Sequence, residues 1–134
     1  LYNDDGIDYL HKRPDELLVD IQLPPTNGWR ASYQKLRRRG AFDFPVLGVA
    51  AWIHTDNGCV NDARIVLGGI APAPVDIKEA ANALIGQPFA EDQIQAAAEA
   101  AYVKARPLDN TDFVYQWRKQ MARQYTLRAL RDLQ

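Results

Sequence analysis

Three arginines in succession, Arg37, Arg38 and Arg39, follow Tyr33 and Lys35 and precede Phe42, Asp43 and Phe44. Guanidinium groups interleaved with stacking aromatics grip single-stranded nucleic acid when the cations share one face. On an extended strand Arg37 and Arg39 point one way and Arg38 the other, so the run makes no single patch. The chain carries a formal charge of -1 and a pI near 6.1. That lacks the basic excess of a free-standing nucleic-acid binder, and nucleic acid is set aside. Two readings of the run remain. One arginine pairs with Asp43 while the others are solvated, or the cations near a sheet edge serve an anionic cofactor or a partner protein.

The other reactive side chains are few. His11, His54 and Cys59 fall short of the four ligands of a closed zinc site. Ser32 is the single serine and sits in no nucleophile elbow; Cys59 with His54 is the sole alternative pair of nucleophile and base. Gly68-Gly69 is neither a GxGxxG loop nor part of a Walker spacing, so it reads as a turn out of a sheet. No catalytic residue and no metal ligand is assigned.

These residues need elements to position them, and 134 residues suit one domain. One cysteine excludes an internal disulfide and fits a reducing, cytoplasmic setting. The apolar run Pro45 to Ile53 is far short of the ~20 residues that span a bilayer. The chain opens on Leu1 and the turn signal Asp4-Asp5-Gly6, so a piece of a longer protein is expected. Val19, Ile21 and Leu23 alternate as in a strand, and the stop at Pro24 to Gly28 marks a boundary. Residues 1–25 are then the end of a preceding segment with its linker, and 26–134 a self-contained domain.

Within that domain the residues from Trp29 to Arg38 and from Val46 to His54 read as strands. Asn57-Gly58 then makes a type I′ hairpin with the alternating run from Val60 to Ile70. Asp76 with Glu79 reads as a capping box ahead of Ile77, Ala80, Ala81, Leu84 and Ile85, stopped by Gly86. A second helix spans about Ala90 to Ala105, with Ile94, Ala97, Ala98 and Ala101 inward. A third, capped by Thr111 or Asp112, runs to about Leu133. Val114, Trp117, Met121 and Leu130 form its apolar stripe, and Arg118, Lys119, Arg123 and Arg131 point out. Strands first and helices second predict an α+β fold: an antiparallel sheet of three to four strands with a layer of three helices on one face.

The order Tyr33-x-Lys35-x-x-Arg38-Arg39, Asp43, the block from Asp62-Ala63-Arg64 through Gly68-Gly69 to Ala71-Pro72-x-Pro74, and an alanine-rich helical tail resembles a known domain. It is similar to the C-terminal domain of the FAD-binding medium subunit of molybdenum hydroxylases, the carbon monoxide dehydrogenase and xanthine dehydrogenase family. The leader Asp5 to Leu10 and Arg13 to Leu18 resembles the end of the preceding FAD domain. The resemblance implies an oxidoreductase assembly in which electrons pass from a molybdenum cofactor through iron–sulfur clusters to FAD and an acceptor. It implies as partners an N-terminal FAD-binding segment and the iron–sulfur and molybdenum subunits. It places Tyr33, Gln34 and Lys35 nearest the flavin ring. It further implies that this chain alone is inactive and retains no FAD, since the loops that hold the pyrophosphate are missing from it. The competing expectation is a stand-alone protein-interaction module without a redox role, working through the basic strand and the Trp29 edge.

Overall fold

The computed structural model describes residues 1–23, 25–40, 42–109 and 113–134. Strands β1 (Trp29–Leu36), β2 (Leu47–Asp56), β3 (Cys59–Gly68) and β4 (Val75–Asp76) form one antiparallel sheet in the order β1-β2-β3-β4. Helices α1 (Lys78–Asn82), α2 (Glu91–Lys104) and α3 (Tyr115–Arg131) follow. The expected fold class is the observed one.

Local chemistry explains the regular parts. Asn57 and Gly58 take φ of 49° and 81°, the two positive angles that let a two-residue turn match the strand twist. The period-2 pattern of β2 and β3 sends Val49, Ala51, Ile53, Ala63, Ile65 and Leu67 to one face, where all are buried. The helices cover that face: α3 lies on β1 and β2, α1 on β3, and α2 closes over α1 and α3. Ala97, Ala98 and Ala101 of α2 are fully buried, and their small size lets helix backbones approach closely. Gly86, at φ 79°, turns the chain out of the α1 segment.

Four expectations are corrected. Residues 17–23 form no strand, and Val19 and Leu23 are 85% and 83% exposed. An alternating run becomes a strand only when a partner accepts its ladder, and none does among the described residues. β1 ends at Leu36, so the arginine run is not on a strand. Asp43 folds it into a turn instead, accepting the Arg39 backbone N–H at 3.0 Å and the guanidinium at 3.4 Å. Arg38 is exposed, as expected, and also lies over the Phe113 ring, 5.9 Å from its centroid. Asp76 does not cap α1: it belongs to β4 and meets Arg64 at 3.1 Å, while Ile77 holds the cap position without a side-chain bond.

The last correction concerns the aspect of α3. The row that faces the sheet is Arg118, Ala122, Thr126, Ala129 and Leu133, all buried at i, i+4 and i+3 spacing, with Leu130 beside it. Of the expected stripe, Leu130 is buried, Trp117 and Met121 are half-buried, and Val114 is exposed. The helix turns this way because small side chains allow it to sit close to β1 and β2. Caps at Thr111 or Asp112 lie outside the described residues. Among the described residues no helix is long and apolar enough to cross a membrane.

Candidate functional site

β1 is an edge strand, bonded to β2 on one side only. Tyr33 is paired with Ala50 and Lys35 with Gly48, so these four share the face turned away from the helices. Trp52 and His54 of β2 continue that face, and Val66 and Gly68 of β3 extend it sideways. Gly48 sits between Lys35 and Gly68 in register. A Cβ on Gly48 would stand 2.9 Å from the Tyr33 hydroxyl, so the tyrosine ring lies across this glycine. Gly48 is thus buried under the phenol, with Lys35 as its cross-strand partner on β1 and Gly68 on β3. Tyr33 is 61% exposed. Among the described residues Lys35 makes no ion pair.

At the other end of the face, Trp29 and Trp52 meet edge to face at 5.9 Å, and His54 tilts over Trp29 at 5.5 Å. A cleft of about 250 Å³ lies there, lined by Trp29, Trp52, Asp62, Ala63 and Arg64.

Gln34 alternates to the opposite side of β1 and does not join Tyr33 and Lys35. It donates from Nε2 to Asp132 Oδ2, and Ser32 donates its hydroxyl to the same oxygen at 3.1 Å. Ser32 is therefore a donor to a carboxylate on the helix side, with His54 on the other face. Cys59 is exposed and pairs with Asp56, while His54 pairs with Asp62, so the hairpin does not set them opposite each other. Among the described residues no group of three or more His, Cys, Asp or Glu could hold a metal ion.

Sequence pattern misses a buried charge. Arg118 is 3% exposed, and its guanidinium donates to the carbonyls of Val46 (3.1 Å), Gly69 and Leu108. Burial pulls its pKa down, and the Asp109 carboxylate opposes that pull. The same corner needs Gly69, which has φ of 76° and whose Cβ would stand 3.2 Å from the Pro45 carbonyl oxygen. Arg118 thus locks α3 to the start of β2 and to the turn after β3. The turn expected at Gly68-Gly69 is this corner.

An antiparallel sheet with helices on one side and, among the described residues, an uncovered aromatic–cationic face on the other defines an α+β domain. Residues 31–133 match the CO dehydrogenase flavoprotein C-terminal domain, and the chain belongs to that family. It is 29% identical over 119 residues to the carbon monoxide dehydrogenase medium chain of Hydrogenophaga pseudoflava, covering 87% of this chain and 40% of that one. It is 35% identical over 100 residues to the aldehyde oxidoreductase FAD-binding subunit PaoB of Escherichia coli, covering 75% and 28%. Its backbone superposes on reconstituted CO dehydrogenase from Oligotropha carboxidovorans with a TM-score of 0.81 at 26% identity, covering 95% of this chain and 44% of that one. The chain therefore spans less than half the length of these relatives.

The family implies FAD, and the residues present fit one part of it. Nothing stands within 4 Å of where a Cβ on Gly68 would be, so a flat ring can approach that backbone, while its neighbour Gly48 is already covered by the Tyr33 phenol. A pyrophosphate prefers a glycine-rich loop at a helix N-terminus. The first turn of α2 carries Glu91 and Asp92, which repel an anion. The α2 N-terminus therefore offers no phosphate cradle.

Proposed function

We propose that this chain is the C-terminal domain of a flavoprotein subunit in a molybdenum hydroxylase, where it forms one wall of the flavin site and a subunit interface. The chemistry, passage of electrons from iron–sulfur clusters to FAD and on to an acceptor, belongs to the cofactors. This chain's residues position and tune. Tyr33 covers one part of the ring and excludes water from it. Lys35 places positive charge beside a ring that gains electrons, which favours the reduced form. Gln34 stands behind them. None of the three acts as an acid or base.

The observation that carries this reading is that Tyr33 and Lys35 share the uncovered sheet face over Gly48, in a domain of this family. Residues 1–25 are read as the end of the FAD-binding segment, since the apolar side chains of Val19, Ile21 and Leu23 are bare here and that segment would cover them. The remaining partners are the iron–sulfur and molybdenum subunits.

The test is reconstitution. The chain alone is expected to stay colourless with added FAD. Addition of the separately prepared N-terminal FAD-binding segment of the same subunit is expected to give the visible flavin spectrum, with Tyr33 protected from chemical modification. Unchanged Tyr33 reactivity in the yellow complex refutes the wall. A protein-interaction module without a redox role is the second reading, favoured by the Trp29–Trp52 cleft. It predicts that the two pieces never form a yellow complex.

A further inference from the structure

Edge strand β1 receives backbone bonds from β2 on one side, and nothing in the sheet fixes its other side. What steadies it is the end of α3. Asp132, the residue that closes α3, accepts from Ser32 and Gln34 through one oxygen. Arg30 of the same strand donates to the Gln134 carbonyl at 3.3 Å. Ser32 and Gln34 alternate along the chain with Tyr33 and Lys35, so the carboxylate grips the rear of the pleat whose front carries the ring and the cation.

The choice of residue is informative. A helix C-terminus carries partial negative charge, and a carboxylate there is unfavourable. Asp132 occupies that position and takes two donors from a strand about a hundred residues earlier in the chain. Hydrogen bonds to a charged acceptor are about twice as strong as neutral ones, which offsets the unfavourable placement. A carboxylate tolerated there for helix stability alone has no need of those donors.

We propose that Asp132 is a positioning residue for the flavin site: it sets the pleat of β1 and so aims Tyr33 and Lys35 across the sheet. The proposal rests on the flavin-wall reading above. Asn at 132 preserves the shape and an accepting oxygen and loses only the charge; Ala loses both.

The experiment uses Asp132→Ala, Asp132→Asn and Lys35→Ala in the complete flavin-containing enzyme, with the flavin reduction potential and visible spectrum measured, and the same substitutions in this chain for amide exchange. Asp132→Ala is expected to speed exchange over residues 32–35 about tenfold, while α2 amides keep their protection. It is expected to shift the flavin potential in the same direction as Lys35→Ala, and Asp132→Asn to restore most of both. The proposal is overturned by faster exchange with an unmoved potential, which makes Asp132 merely structural. It is equally overturned by unchanged exchange in Asp132→Ala, or by Asp132→Asn behaving like Asp132→Ala, which assigns the effect to charge alone. An unmoved potential in Lys35→Ala sinks the wall reading itself, and this proposal with it; the exchange arm still shows whether Asp132 holds the strand.

Discussion

Replacing Arg118 by methionine tests the packing logic most directly. Methionine keeps the unbranched apolar stem and fills much of the same volume, so the change removes donors and charge more than bulk. Exchanging a buried ion pair for apolar residues is often neutral or stabilising, because both charges leave together. Here the partners are backbone carbonyls, and they stay. The Val46 carbonyl is bonded in a fully buried setting, and losing its donor costs about 1–3 kcal/mol. The Gly69 and Leu108 carbonyls are part-buried and recover some solvent, at roughly 0.5–1.5 kcal/mol each. Relief of the buried charge offsets part of this, leaving a net loss of about 3 kcal/mol. With an unfolding entropy of about 2.1 cal/mol/K per residue over 134 residues, the melting temperature falls by about 10 °C. The assay is thermal and urea denaturation of this chain, with the urea m value unchanged. Arg118→Lys keeps the charge but cannot fork to three carbonyls, and should fall between the two. A melting temperature for Arg118→Met at or above that of the parent chain would refute the reasoning.

Gly69→Ala places a Cβ against the Pro45 and Val46 carbonyls at a φ of 76°, and should cost about 1–2 kcal/mol by urea denaturation. Glu91 is held at about 2, first by the Arg131 hydrogen bond and then by Gln95. Because this lies below its ordinary 4.5, the contribution is full above 4.5 and is lost as pH falls towards 2; Glu91→Gln should flatten the acid unfolding profile in that window. On the flavin-wall reading, Lys35→Ala in the complete enzyme should lower the flavin potential by roughly 20 mV, the equivalent of about 1 kcal/mol for a nearby cation in partly wet surroundings; spectroelectrochemistry measures it.

What the sequence determined by itself is local. The alternation from Ala63 to Leu67, the Asn57-Gly58 turn and the alanine face of α2 each encode their structure within a few neighbouring residues, since strand pleat, turn angles and helix period are short-range constraints. The order of motifs from Tyr33 to Pro74 likewise placed the chain in its family. Only the tertiary structure decided which side of β1 carries which chemistry. The same pleat that brings Tyr33 and Lys35 together sends Gln34 to Asp132, and the register with β2 fixes which pair faces out. Arg118 looks like any helical surface cation in sequence; two of its three acceptors lie 72 and 49 residues away, where no local period can point to them. The run from Leu17 to Leu23 shows the converse, a strand pattern left bare, because a ladder requires a second chain segment that local sequence cannot supply.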